Sequence, residues 1–362
     1  MFDPSICYDL LIVGAGPAGS TLARLVGERA PEKRVLLIEG QTPGKAKVCG
    51  GLLAPDAQKV LAAFDLTLPK SVLVDPQIFS VKTIDVPSGL VRYYSRFYIN
   101  ADRGKFDDWL RSLIPAGVDR FAGRCADLAR DRDGGFTAIL HPRGEGGRPV
   151  TVRSKCVVGA DGAASVVRRS FYRCDIRRYT AIQQWFPADE RVSPFYSCIF
   201  DPETSESCSW SIHKDGMFLY GGSFAPEKCR EMFEKQKQRV AGRYGFSFPV
   251  PLRTEACEVF RPTRLRDFVT GRDGAFLIGE AAGFISPSSF EGISSAILSA
   301  TYLARALGCG DPDRAARRYR RTAAKLKMKL RLKCFKRLFM YVPILRRAVM
   351  RSGLMAIRME ME

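Results

Sequence analysis

Short apolar runs that end at glycine recur along this chain. Leu10-Leu11-Ile12-Val13 leads into Gly14-Ala15-Gly16-Pro17-Ala18-Gly19, and Val35-Leu36-Leu37-Ile38 stops at Glu39. A strand over 155–158 meets Gly159-Ala160-Asp161-Gly162, and Ala275-Phe276-Leu277-Ile278 meets Gly279-Glu280-Ala281-Ala282-Gly283. Unbroken apolar runs of this kind read as strands covered on both faces, as in a parallel sheet. Helical spacing appears between them: Phe106, Trp109, Leu110 and Leu113 form a stripe over 103–114, Pro55 and Asp56 open a second helix, and a third spans 291–307. β-Branched and aromatic residues predict strands at 77–85, 90–94 and 96–99. A second β-rich region runs over 179–260, interrupted by a polar helix at 227–243, and glycine-rich turns are expected at 133–135 and 143–147.

The pattern predicts an α/β fold. A Rossmann-type nucleotide-binding domain is expected in three pieces, 1–75, 100–174 and 263–310, with a β-rich substrate domain inserted at 76–99 and 175–262 and a C-terminal helical tail over 311–362. The first glycine turn supplies the chemistry. Gly14 permits a tight turn, Gly16 lets the backbone approach phosphate oxygens, and Gly19 lets helix and strand pack. The helix N-terminus beyond Pro17 and Ala18 offers unpaired N–H donors to a pyrophosphate. Glu39, at the end of the second strand, reads as the acceptor for a ribose hydroxyl pair. Alone, this unit fits NAD and FAD equally.

With 362 residues, 46% of them hydrophobic, the chain can bury two cores. Its formal charge of +19 is uneven: 311–362 holds 16 Lys plus Arg against 4 acids, a net +12. Met328, Leu332, Phe335 and Phe339 fall on one helical stripe there, with Lys329, Lys333 and Lys336 on the adjacent arc. Two placements suit such a helix, an anionic membrane surface or the body of the protein. No module for nucleic acid is recognisable, and no such partner is expected. Eleven cysteines without Cys-x-x-Cys pairs, beside only His141 and His213, argue for reduced thiols and against a metal site. No export signal or membrane-spanning run is read, so a cytoplasmic chain is expected, peripheral on the inner membrane face in the first placement.

Three separated motifs, the turn at 14–19, Gly159-Ala160-Asp161-Gly162-Ala163-Ala164-Ser165 with Arg168 following, and Gly279-Glu280-Ala281-Ala282-Gly283, together resemble the FAD-dependent oxidoreductases with the para-hydroxybenzoate hydroxylase fold. Within that superfamily, Cys49-Gly50-Gly51, Arg103-x-x-Phe106-Asp107 and Glu291-Gly292-Ile293 are similar to the geranylgeranyl reductase family. The resemblance implies FAD, held by Gly14, Gly16, Pro17, Ala18, Gly19, Glu39, Lys47, Gly50, Gly51, Arg103, Asp161, Gly279, Glu280, Gly283, Gly292 and Ile293. It implies that Arg103 approaches the pyrophosphate as a charge-assisted donor and that the helix beginning at Gly292 points its N-terminus at the flavin. Cys49 would lie beside the isoalloxazine ring and take part in catalysis. Glu280 stands where the family usually has Asp, which keeps the acceptor but shifts it by about 1.5 Å, one C–C bond.

The substrate motif departs further. Where the family often carries Tyr-x-Trp-x-Phe-Pro, this chain has Cys208-Ser209-Trp210-Ser211-Ile212-His213, and its Trp-x-Ile pair is similar to part of a flavin halogenase motif. Trp210, Trp185 and Tyr196 are the candidate substrate residues, each also an ordinary choice for a sheet core. His213 reads as a surface or hydrogen-bonded histidine. The activity implied is reduction of carbon–carbon double bonds in a polyprenyl lipid. Alternatives are an FAD monooxygenase or halogenase acting on a hydrophobic substrate, or a flavin-binding protein without turnover. With no second Gly-x-Gly-x-x-Gly after a strand, NAD(P)H is expected only as a transient donor.

Overall fold

The computed structural model describes residues 2–40, 47–144, 146–173, 175–188, 195–308 and 310–357. The turn expected at 143–147 includes Glu145, which lies outside the described residues. The chain divides into two compact units, one of 1–46, 104–177 and 260–331 and the other of 47–103, 178–259 and 332–362.

The first unit is built on a parallel run of strands in the order Asp119–Arg130, Val35–Glu39, Cys7–Val13, Val150–Gly159 and Ala275–Leu277. Phe136–Pro142 lies antiparallel to both Asp119–Arg130 and Val150–Gly159. Leu10–Val13 and Val35–Ile38 are buried, as unbroken apolar runs in a parallel sheet should be. The helix Pro17–Arg29 packs against Ile293–Leu307. Chain order reverses between Cys7–Val13 and Val150–Gly159, and open α/β sheets bind ligands beyond the carboxyl ends of strands at such a reversal.

The second unit holds an eight-stranded sheet in the order Arg253–Phe260, Arg178–Pro187, Met217–Phe224, Cys208–Lys214, Tyr196–Phe200, Ile78–Asp85, Leu90–Asn100 and Leu52–Leu53. The helix Cys229–Val240 covers one face, where Phe233 joins Ile182, Phe186, Ile199, Phe218, Tyr220 and Phe224 in one buried apolar cluster. The stretches 90–94 and 96–99, read as separate strands, form the single strand Leu90–Asn100. Segment 47–75, expected with the nucleotide domain, falls in this unit because Leu52 and Leu53 pair with Asn100 and Ile99.

The tail is not a separate body. Its helix Pro312–Tyr341 buries Ala315, Tyr319, Ala323, Leu326 and Leu330, with the Tyr319 hydroxyl donating to Leu277 O at 2.9 Å in the first unit. In the second unit, Arg346 is 4% exposed, donates through Nε to Asp85 Oδ1 at 2.8 Å and stacks over Phe200, while Arg347 reaches the same carboxylate. Ile357 N–H donates to Tyr93 O at 2.7 Å, tying that residue to the strand Leu90–Asn100. The stripe Met328, Leu332, Phe335 and Phe339 faces outward, each residue more than half exposed, so the helix packs on the body through its opposite side and not through this stripe. No described helix is long and apolar enough to cross a membrane.

Candidate functional site

The glycine turns lie at one edge of the first sheet because the strands before them are in register: Val13 pairs with Ile38 and Gly159, and Gly159 pairs with Leu277. Gly14 has φ +105°, and a Cβ there would come within 2.7 Å of Ala160 O and 2.9 Å of Asp161 Cα. The first and second motifs therefore meet backbone to backbone. Gly19 is tighter, since its Cβ would lie 1.8 Å from Gly14 O. Gly279, at φ +57°, brings in the third motif: a Cβ on it would meet Ala18 Cβ at 2.9 Å and Ala296 Cβ at 3.6 Å. The first turns of both long helices thus flank it, and its N–H donates to Ser299 Oγ at 2.9 Å. At φ +82°, Gly283 closes the turn against Asp267 O.

Above this frame there is room. A Cβ on Gly16 would meet nothing within 4 Å, and the N-caps Gly16 and Gly292 leave the helices starting at Pro17 and Ile293 without a side-chain cap. Unpaired N–H groups and the positive helix end suit an anion. Asp161 accepts from Val166 N–H at 2.7 Å through Oδ2, while buried Oδ1 has no hydrogen-bond partner. Burial pushes its pKa up to about 6, opposed by Ser165 and the Val166 N–H. Glu39 Oε1 is likewise buried without a hydrogen bond, with Arg120 Nε 3.7 Å away. An open cradle, uncapped helix ends and orphaned carboxylate oxygens fit the pyrophosphate and hydroxyls of a dinucleotide.

Glu280 is placed differently from a simple ribityl acceptor, because its Oε1 accepts from Phe260 N–H at 2.9 Å. The longer side chain reaches backbone on the neighbouring segment. Arg168, noted in the sequence only as following the second motif, is a buried clamp that donates to Ala281 O at 2.8 Å and Asp267 O at 3.0 Å. It locks the second motif to the third. Its burial was invisible in the sequence, although an Arg three residues after the Ser165 N-cap was the available signal.

Lys47, Cys49, Gly50, Gly51 and Arg103 belong to the second unit. Arg103 is half-buried at the start of the helix Arg103–Ser112, and Lys47 is half-buried. Gly51 needs its φ of +66°, since a Cβ would strike Ala101 O at 2.2 Å, and a Cβ on Gly50 would strike Ile212 Cδ1 at 2.6 Å. Cys49 Sγ accepts from Gly51 N–H at 3.4 Å. Beneath this turn lies a residue the sequence reading missed. Lys214 is buried and donates to Asn100 Oδ1 at 2.6 Å and Ala101 O at 2.7 Å. Burial pushes its pKa down to about 8, with Cys49, Asp102 and Asp215 opposing.

Strand register sets the three candidate aromatics on one sheet face. Trp210 opposes Cys198 and Gly221, Gly221 opposes Gln183, and Tyr196 and Trp185 lie two residues from Cys198 and Gln183. Ile212 and Lys214 alternate onto the same face, opposite the core under Cys229–Val240. Gly221 gives the indole its resting place, since a Cβ there would meet Trp210 Nε1 at 2.7 Å, and that Nε1 has no hydrogen-bond partner. Trp185 is pinned by Glu255, which accepts from its Nε1 at 2.9 Å, and Tyr196 packs edge-on against Tyr98. His213 differs from its sequence reading: it lies on the opposite face against Phe218, half-buried, its Nε2 buried without a partner, and burial lowers its pKa.

A family model described as an FAD binding domain matches residues 119–319, more than half of the chain. The fold is also that of flavoproteins. A geranylgeranyl bacteriochlorophyll reductase-like protein from Thermoplasma acidophilum superposes with a TM-score of 0.72 at 18% identity, over 95% of this chain and 98% of that one. The flavin-dependent brominase Bmp2, as a triple mutant, gives 0.73 at 18% identity over 96% and 93%. Protein CbrA of Escherichia coli O9:H4 (strain HS) is 45% identical over 96% of this chain and 93% of its own length. The chain belongs to the FAD-binding-domain flavoproteins and, among them, to the CbrA family, with FAD as its cofactor. Its wording at 49–58, 76–83, 194–201 and 276–286 resembles that of the enterobacterial flavoprotein known as colicin M resistance protein, the name that relatives 44–45% identical to this chain carry.

Proposed function

We propose that this FAD-dependent oxidoreductase reduces isolated carbon–carbon double bonds in a polyprenyl lipid. The observation that carries the reading is the sheet face bearing Trp210, Ile212, Trp185 and Tyr196, with the Cys49-Gly50-Gly51 turn packed against Ile212. Such a face offers a long apolar chain aromatic and aliphatic contacts, with charge at its ends in Lys214 and in the Glu255 and Arg253 that flank Trp185. The uncapped helix at Gly16, with Glu39 and Asp161, holds the dinucleotide. Bound FAD, once reduced, supplies the hydride. Cys49 gives a proton to the second alkene carbon, and the buried Lys214 ammonium holds Ala101 O, whose own N–H donates to Gly51 O in the turn that carries Cys49. NAD(P)H, docking transiently, would supply the electrons that reduce the flavin.

The test is incubation of the reduced protein with a panel of geranylgeranyl and related lipids, analysed by mass spectrometry. Products heavier by two hydrogens per reduced bond support the proposal. A panel that returns unchanged removes the substrate class. Products that gain oxygen or halogen instead move the chain to the oxygenating chemistry of the brominase-like fold, and FAD bound tightly with no turnover at all marks a binding protein.

A further inference from the structure

The outward stripe of the long C-terminal helix calls for an explanation, because that helix is apolar on two opposite sides. Its inner stripe, Ala323, Leu326 and Leu330, is buried. Its outer stripe consists of Met328 at 55% exposure, Leu332 at 58%, Phe335 at 63% and Phe339 at 55%. Leu338 adds to the exposed apolar surface on the helix, and Val342, Ile344 and Leu345 extend it past the helix end. Leaving this much apolar surface in water is costly, and patches of this kind mark interaction sites.

Charge indicates what covers it. From Arg314 to Met359 the sequence has no Asp or Glu, while Lys and Arg recur throughout. On the helix, Lys325, Lys329 and Lys336 are exposed and lie about 20–60° round the axis from Leu332, directly beside the apolar arc. A second copy of the chain meeting this face would set cation against cation. A layer that is anionic at its surface and apolar just beneath matches both halves of the pattern.

The surface is also held firmly from behind. The buried Asp85–Arg346 pair, the Arg346 stack on Phe200, Arg92 donating to Met350 O at 3.0 Å and the Ile357–Tyr93 hydrogen bond fix the segment after the helix to the second sheet. Tyr341, at the helix end, packs edge-on against Phe200. Exposed phenylalanines on a segment anchored in this way cannot turn inward to escape water.

We infer that residues 325–345 are a membrane-docking surface that lies along an anionic lipid bilayer, with Leu332, Phe335 and Phe339 entering the acyl boundary and the flanking lysines meeting anionic headgroups. Each Lys or Arg near such a surface is worth about fivefold in partitioning. The experiment is co-sedimentation of the full FAD-loaded chain with vesicles of phosphatidylcholine alone or with added phosphatidylglycerol, alongside Phe335→Glu/Phe339→Glu. The anionic vesicles should retain the wild type at least tenfold better than neutral ones, and salt should weaken this retention. The double variant should lose at least tenfold while keeping its flavin spectrum and melting temperature. Absence of binding to anionic vesicles at low salt, or unchanged binding by the variant, overturns the inference. So does a dimer in sedimentation velocity that the same substitutions dissociate, since the stripe would then be covered by a second copy.

Discussion

Gly16→Ala should weaken FAD binding while leaving the fold intact, whereas Gly19→Ala three positions away should damage the fold itself. Gly16 has φ −75° and ψ −172°, a conformation open to any residue, and an added Cβ meets no atom within 4 Å. The gain from a stiffer unfolded chain and the small loss of a glycine N-cap nearly cancel, so stability should stay within about 1 kcal/mol. The added methyl, however, sits where a pyrophosphate must approach backbone N–H groups. Losing one charge-assisted hydrogen bond costs about 1.5–3 kcal/mol, or about 10- to 100-fold in affinity. At Gly19 the Cβ would lie 1.8 Å from Gly14 O, and Gly14 is itself wedged against Ala160 and Asp161 backbone, so neither side can yield. Overpacking there should cost about 3 kcal/mol. Denaturant unfolding of the apo-chain and titration by flavin fluorescence separate the two effects. If Gly16→Ala binds FAD like the wild type, or if both variants unfold the chain alike, the cofactor does not sit over Gly16.

Asp161→Asn should stabilise the apo-chain at pH 7 by about 3 kcal/mol, because a folded pKa near 6 against about 3.9 unfolded makes ionisation costly. In the wild type the unfolded state binds fewer protons across that window, so stability falls as pH rises from about 4 to 6; urea titrations of the variant should lack this decline. Cys49→Ala should slow alkene reduction by about 100-fold or more if its thiol delivers the proton, and an unchanged single-turnover rate removes it from the chemistry. Asp85→Asn should cost about 3–5 kcal/mol by leaving Arg346 buried without its counter-charge, and trypsin should then cut at Arg346 and Arg347; equal protease resistance would contradict the anchor. Burial alone would raise the pKa of Asp85, but Ser88 and the two arginines hold it below the usual carboxylate range, so this stability is complete above about pH 4 and lost as pH falls through the folded value.

What the sequence revealed was local in origin. Gly14, Gly159 and Gly279 each follow an apolar strand, so their turns could be found one by one, whereas the register that brings them to one edge is set by pairing between strands far apart in the chain. The clamps between distant segments left no such trace. Asp85 and Arg346 are 261 positions apart, and neither lies in a motif that predicts the other. Leu52 and Leu53 are too short a run to show which sheet they join. Glu280 could be recognised as an acceptor, but its use of the Phe260 N–H depends on how a separate segment returns. The tail's stripe was legible and its direction was not, because a helix apolar on two sides gives no sign of which side meets the core.

The most direct test of alkene reduction is anaerobic stopped-flow mixing of the photoreduced protein with a geranylgeranyl lipid. Reductase chemistry predicts that the absorbance of oxidised flavin returns without oxygen, at a rate that rises with lipid concentration, and that the recovered lipid carries two added hydrogens for each flavin reoxidised. Flavin that stays reduced until oxygen is admitted, with the lipid recovered unchanged from the anaerobic arm, would contradict it.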